Sequence, residues 1–392
     1  MLTGKFKEAL PLLETLTTAG YEAYFVGGSV RDVILNRPIA DVDIATSAYP
    51  EEVKKLFSHT IDTGIQHGTV TVMMEKEGYE ITTFRTESTY QDYRRPDEVT
   101  FVRSLKEDLK RRDFTMNAIA MDQFGILHDP YQGQAAIVAQ IIEAVGIADE
   151  RFSEDALRMM RALRFVSQLG FTLELATKNA IKNNRALLEH IAVERCYVEM
   201  TKLLLGSNVQ QGLALITDTN IYQHLPGLAE AATSLEKLQT INWPSERQPQ
   251  LVWTLFCSEV APLEAKRFLK KWKASNEMMT AVSHALTYYQ TVPVWSSLTL
   301  YDAGEATITL VEQLKRAHNI ATDTTEVLEQ YHQLPIQNRH QLAVSGHDLM
   351  LWLEKAPGAW IATLIRKIEV AVVEGLLANE ASAIREWVEN EN

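Results

Sequence analysis

Residues 26–46 read VGGSVRDVILNRPIADVDIAT. A short apolar run ends in Gly27 and Gly28, a helix-like segment follows, and Asp41 and Asp43 then stand two apart among Val42, Ile44 and Ala45. Along a strand, positions i and i+2 face the same way. Two carboxylates on one face repel each other, and burying either without a partner is costly. A divalent cation between them resolves both problems, so the pair is first of all a candidate metal site. A glycine turn that opens a helix lets backbone approach an anion closely, and the first N–H groups of a helix favour negative charge. Arg31, in that first turn, opposes the helix dipole unless an anion lies between them. Gly28 and Arg31 are therefore candidate phosphate-binding residues. The plain alternatives are an ordinary Gly-Gly turn, a surface ion pair and two aspartates facing water.

Outward from this stretch, residues 21–27, 41–45, 68–75 and 79–86 are short and rich in β-branched or aromatic residues, and read as strands. Gly78 reads as the turn of an antiparallel hairpin between the last two. Helical periodicity covers 5–18, 29–36 and 115–120. After about residue 150 the strand signal disappears. SEDALRMMRALRFVSQLG (153–170) reads as one helix capped by Ser153 and closed at Gly170. All seven tryptophans lie at or beyond Trp243, so the second half has a different core composition. The pattern predicts a small α+β head with a mixed or antiparallel sheet, followed by an all-α remainder.

With 392 residues and 46% hydrophobic content, the chain can bury large cores and divides into two to four domains. Cys196 and Cys257 are far apart and give neither a disulfide framework nor a metal cluster. The N-terminus, MLTGKFKEALPLLETL, lacks the apolar core of a signal peptide. No run approaches the ~18–20 apolar residues that span a bilayer. The expectation is a cytoplasmic protein with no membrane partner. A net charge of −13 weakens the case for non-specific RNA binding, but net charge says little about one groove. Residues 85–112 carry eight Lys or Arg against six Asp or Glu, ending in Lys110, Arg111 and Arg112.

Asp155, Arg158, Arg161 and Arg164 are spaced by three on one predicted helix, which draws a slanted stripe down it. Three arginines alone would be a solvated basic face. Beside a phosphate-binding head they become a nucleotide-facing wall.

The compound order of apolar residue, Gly-Gly, twelve residues, then Asp-apolar-Asp-apolar resembles the nucleotidyltransferase signature of the DNA polymerase β superfamily. Four later segments narrow the family: RRDFTMNAIA (111–120), HDPYQGQAAI (128–137), EDALRMMRALRF (154–165) and ERCYVEMTKLLLG (194–206). In this order they are similar to the motifs of bacterial class II CCA-adding enzymes, closely over about the first 210 residues and loosely over 346–353 and 358–375. The resemblance implies a head at 1–148, a nucleotide-selecting neck at 149–207, a helical body at 208–300 and a tRNA-binding tail at 301–392, in an elongated crescent. It implies that Asp41 and Asp43 are catalytic and hold two Mg²⁺ ions. One ion activates a 3′-hydroxyl and the other neutralises a triphosphate, while pyrophosphate leaves. It implies that Asp155 and Arg158 read the incoming base and that Arg161 and Arg164 line the nucleotide pocket. Arg112 contacts the nucleotide, and Asp113 serves the ribose or the metals, that role being left open. CTP, ATP and the acceptor arm and elbow of tRNA are the implied partners, and a homodimer is left open.

Three rival readings stand beside it. A bacterial poly(A) polymerase, or an enzyme adding only CC or only A, would use the same scaffold. The stretch at 85–98 occupies the family's flexible-loop position, and its presence favours full CCA addition. A non-catalytic RNA-binding protein would not need the intact Asp41/Asp43 pair. The pairs His128-Asp129 and His347-Asp348 suggest a phosphohydrolase metal motif, but its other ligands cannot be assembled here. Asp348 fits a helix start, and His67 fits a structural role.

Overall fold

The structure, a computed structural model, describes residues 2, 4–87, 90–91, 95–96 and 99–391. Most of the stretch at the flexible-loop position therefore lies outside the described residues. The chain forms two compact units, Met1–Gln239 and Thr240–Asn392.

In the first unit, helix α1 (Lys5–Thr18) buries Phe6, Ala9, Leu12, Leu13 and Leu16, the three-and-four spacing of one apolar face. Among the described residues seven strands make one mixed sheet. Its centre is β1 (Ala23–Val26) antiparallel to β2 (Asp43–Thr46), which runs parallel to β5 (Glu77–Thr83). Strands β3 (Thr60–Gly64) and β4 (Thr69–Met74) extend that side, and Ala120–Met121 and Leu127–His128 extend the other. Val26, Ala45, Phe84, Leu109, Ala118 and Ala120 form a shared core beneath it.

Several boundaries differ from the sequence reading. The ladder of β2 begins at Asp43, not residue 41, because its partner β1 ends at Val26, opposite Asp43. Asp41 thus precedes the strand, yet alternation survives, with Asp41 and Asp43 exposed and Val42 and Ile44 buried. The hairpin turn falls at Glu75 and Lys76, where Glu75 adopts φ 58°, and Gly78 pairs with Met73 inside the ladder. Residues 115–120 are not a helix. They make one tight turn (Thr115–Asn117) before Ala120–Met121 joins the edge of β1, so sheet pairing overrides the local pattern.

The helix predicted from Ser153 is two helices, Ala148–Glu154 and Leu157–Leu169, broken at Asp155 (φ −136°, ψ 101°). The Asp155 carboxylate accepts from Leu157 N at 3.1 Å, a local bond that competes with continuing the helix. Ser153 lies inside the first helix and donates to Asp149 O, so it caps nothing. Gly170 does close the second, at φ 73°. The strand signal also does not vanish at residue 150, since Thr172–Leu173 pairs in parallel with Ile141–Ile142.

Helix Leu157–Leu169 is held close to the Val193–Leu204 helix and the Gly206 turn behind it. A Cβ on Gly206 would lie 2.2 Å from Ser167 Oγ and 2.6 Å from Ser167 backbone atoms. Gly206→Ala should therefore destabilise this unit by about 2 kcal/mol, near the middle of the overpacking range, and lower its melting midpoint by roughly 4–8 °C. A thermal melt with an unchanged midpoint would refute the close approach.

The second unit is helical throughout its described residues. Trp253, Phe256, Phe268 and Trp272 pack ring against ring in one core, with Trp253–Trp272 centroids 5.4 Å apart. A second cluster gathers Leu300, Ile308, Ile336, Leu349, Ile368 and Val388. Asp348 stands at the start of helix Gly346–Leu353, exchanging bonds with Ser345 as expected. Among the described residues no helix is long and apolar enough to cross a membrane.

Candidate active site

Strand β1 hands directly into helix α2 (Gly28–Ile34) through Gly27, which adopts φ 76°. A side chain there would be strained, and its Cβ would sit 3.2 Å from Arg112 Nη1 and 3.6 Å from Asp43 Oδ2. The glycine is what lets the strand end bring Asp43 and Arg112 together. They border a cleft of about 620 Å³. All ten residues singled out from the sequence line it: Gly28, Arg31, Asp41, Asp43, Arg112, Asp113, Asp155, Arg158, Arg161 and Arg164.

Asp43 faces the open cleft, yet the surrounding walls strip water from part of it and push its pKa up, against the pull of Arg112. Glu80 and Asp41 push the same way. Glu80 is beside Asp43 because Ile81 on β5 pairs with Ile44. Among the described residues neither Asp41 nor Asp43 has an ion pair, and no group of three or more His, Cys, Asp or Glu is arranged to hold a metal unaided. That donor set fits a cation that keeps most of its water and shares substrate phosphates, which is the habit of Mg²⁺.

The cationic wall is built on buried carboxylates. Asp108, fully buried, contacts Arg111 at 2.9 Å and Arg112 at 3.3 Å. Burial alone would raise its pKa, but the two guanidinium groups prevail and hold it low. Asp113 accepts from Phe114 N (2.8 Å), Asn117 Nδ2 (3.1 Å) and Arg161 Nε (2.8 Å). Here too burial pushes the pKa up, while Arg161, Asn117 and Arg158 pull it far below the usual range. Asn117 in turn accepts from Arg31 at 2.8 Å, so one chain of bonds ties the head helix to the second helix. With its oxygens so occupied, Asp113 acts in this arrangement as a positioning group.

Asp155 receives Arg195 in a fork, at 3.2 and 2.8 Å. Arg158 donates to Glu154 (2.8 Å) and to the Arg111 carbonyl (2.7 Å). The two base-reading candidates are thus each held by other residues, not by one another. Arg164 Nε lies 2.6 Å from Glu199 Oε2 without the alignment of a hydrogen bond. Burial lowers its pKa to about 10 despite that carboxylate. Its guanidinium lies 3.9 Å over the Phe165 ring, which also faces Arg31 at 5.1 Å and Arg161 at 5.6 Å.

Sequence reasoning missed Glu80, Asn117, Arg195, Glu199 and Lys202. The last two and Arg195 share the Val193–Leu204 helix at i, i+4 and i+7, a polar stripe on an otherwise apolar helix that could have been read. Glu80 could be found only once β5 was known to pair with β2. Every arginine of the cleft is ion-paired, whereas Lys202 lines it with no ion pair among the described residues.

A protein named CCA-adding enzyme from Listeria innocua is 48% identical over 384 residues, covering 98% of this chain and 98% of that protein. The CCA-adding enzyme of Enterococcus faecalis is 49% identical over 387 residues, covering 98% and 95%. The chain belongs to the CCA-adding enzymes. Within them it matches the family models described as Poly A polymerase head domain (residues 23–143), Probable RNA and SrmB- binding site of polymerase A (170–232) and tRNA nucleotidyltransferase domain 2 putative (245–388). The solved CCA-adding enzyme of Bacillus stearothermophilus in complex with CTP is 43% identical and superposes with a TM-score of 0.91, over 100% of this chain and 98% of that one. A mixed-sheet head with a helical remainder is thus the architecture of a CCA-adding enzyme, as the sequence pattern predicted. Membership of the CCA-adding enzymes also makes the chain a nucleotidyltransferase and removes the non-catalytic reading.

Proposed function

We propose that this chain adds C, C and A in turn to the 3′ end of tRNA from CTP and ATP, without a nucleic-acid template, releasing pyrophosphate. Near-full-length identity to CCA-adding enzymes carries the reading. The cleft supports it chemically, since two unpaired aspartates stand opposite a wall of arginines fixed before any ligand arrives.

Asp41 and Asp43 are the proposed catalytic pair and would hold Mg²⁺. When bound there, the metal would activate the attacking hydroxyl and stabilise charge on the triphosphate. The backbone at Gly28, with Arg31, Arg112, Arg161 and Arg164, binds and orients the phosphates. Asp155 and Arg158 present an acceptor and a donor to the base edge. Asp113 holds Arg161 and Asn117 in place. Residues 1–148 would then perform the chemistry, 149–207 select the nucleotide, and 208–300 and 301–392 hold the acceptor arm and elbow.

Incubation with tRNA lacking its last three nucleotides, followed by sequencing of the products, tests the function. CCA ends are expected. Products ending in CC alone, in A alone, or in a run of A would favour the narrower enzymes or a poly(A) polymerase.

A further inference from the structure

The second unit carries a helix, Ala265–Lys271, with the sequence AKRFLKK. Four of its seven residues are cationic and none is acidic, in a chain whose net charge is −13. At about 100° per residue, Lys266, Lys270, Arg267 and Lys271 fall on one arc roughly 140° wide. All four are exposed, while Ala265, Phe268 and Leu269 are buried on the opposite side. Phe268 rests against Phe256 and Trp272, and Trp272 against Trp253, so the arc stands on packed rings. The one acidic neighbour that engages it is Glu264, 3.3 Å from Arg267. That pair is 74% and 65% exposed, which makes it weak and easily exchanged for another anion.

Such an arc on a rigid bed has the chemistry of a polyanion contact. Its cations span about 8 Å along the helix axis, enough for roughly two phosphates of one strand. We propose that Lys266, Arg267, Lys270 and Lys271 form a phosphodiester-binding face that takes the backbone of the tRNA substrate. The inference rests on the tRNA reading above, and places an RNA contact outside residues 170–232, which match the model described as a probable RNA-binding site. The face binds shape and charge without reading bases, so it serves every tRNA alike. It also gives an otherwise acidic protein a local site at which a polyanion is attracted.

The test uses the full chain with Lys266→Glu and Lys270→Glu together. A matched control carries Lys55→Glu and Lys76→Glu, two exposed lysines of the first unit. The face predicts that the KM for tRNA rises about tenfold or more, while the KM for CTP matches the control. It also predicts a salt slope of tRNA binding shallower by about one to two, the loss of one or two phosphate contacts. Fluorescence anisotropy with labelled tRNA reads binding without turnover, so it remains informative even if CCA addition itself were refuted. A tRNA affinity and salt slope equal to the control would overturn the proposal. So would an unchanged tRNA affinity with a shift in sedimentation, which would assign the face to the acidic surface of a second copy.

Discussion

Asp43→Asn and Asp41→Asn each lose nucleotide transfer by roughly 10³-fold or more in kcat, with tRNA binding preserved. The magnitude follows from removing a metal ligand and with it several kcal/mol of charge stabilisation, at about 1.4 kcal/mol per factor of ten. The fold should not suffer. Asp43 enters its ladder through the backbone, opposite Val26, and its carboxylate holds no side chain in place. Asp41 and Glu80 instead push its pKa up, so the neutral amide relieves repulsion. The melting midpoint of Asp43→Asn should equal or slightly exceed that of the parent while activity disappears. Near-normal turnover in Mg²⁺ by a folded variant would end the metal assignment.

The second large effect concerns how a protein chooses C and A with no template. Cytosine and adenine both present an amino group beside a ring acceptor, and uracil and guanine present a carbonyl beside a ring N–H. A carboxylate next to a guanidinium fits the first two and opposes the others. A good bidentate contact is worth about 1–3 kcal/mol, and a site built on such pairs reaches on the order of 10⁴-fold. Asp155→Ala and Arg158→Ala should each narrow the preference for CTP and ATP over UTP and GTP by about ten- to a hundredfold, with transfer still detectable. Arg195→Ala leaves both readers in place but releases the fork that aims Asp155. Its loss of selectivity should therefore be smaller. Values of kcat/KM for all four nucleotides decide the matter, and an unchanged preference in both alanine variants would mean that the base is read elsewhere.

These arguments depended on residues that a linear reading treats unequally. The head was legible because Gly27, Gly28, Asp41 and Asp43 impose requirements that few other folds share. The arginines were legible as a stripe, but their partners were not, because Asp108, Asp113 and Glu199 come from three separate segments. The break at Asp155 was invisible, since the apolar period runs smoothly from residue 153 to 169 while one carboxylate turns the backbone aside. That break changes the meaning of the motif. Asp155 does not ride on the helix of Arg158 but stands at its head, where Arg195 can grip it.

The placement of the seven tryptophans, all at or beyond Trp243, has an optical consequence. Every indole belongs to Thr240–Asn392, and the catalytic unit Met1–Gln239 has none. Emission excited at the red edge thus reports on one half of the molecule alone, with Trp253 and Trp272 marking the opening of its core. A single indole placed in the other half would shine against a background of known origin, so the unfolding of the two units can be followed by colour in one cuvette.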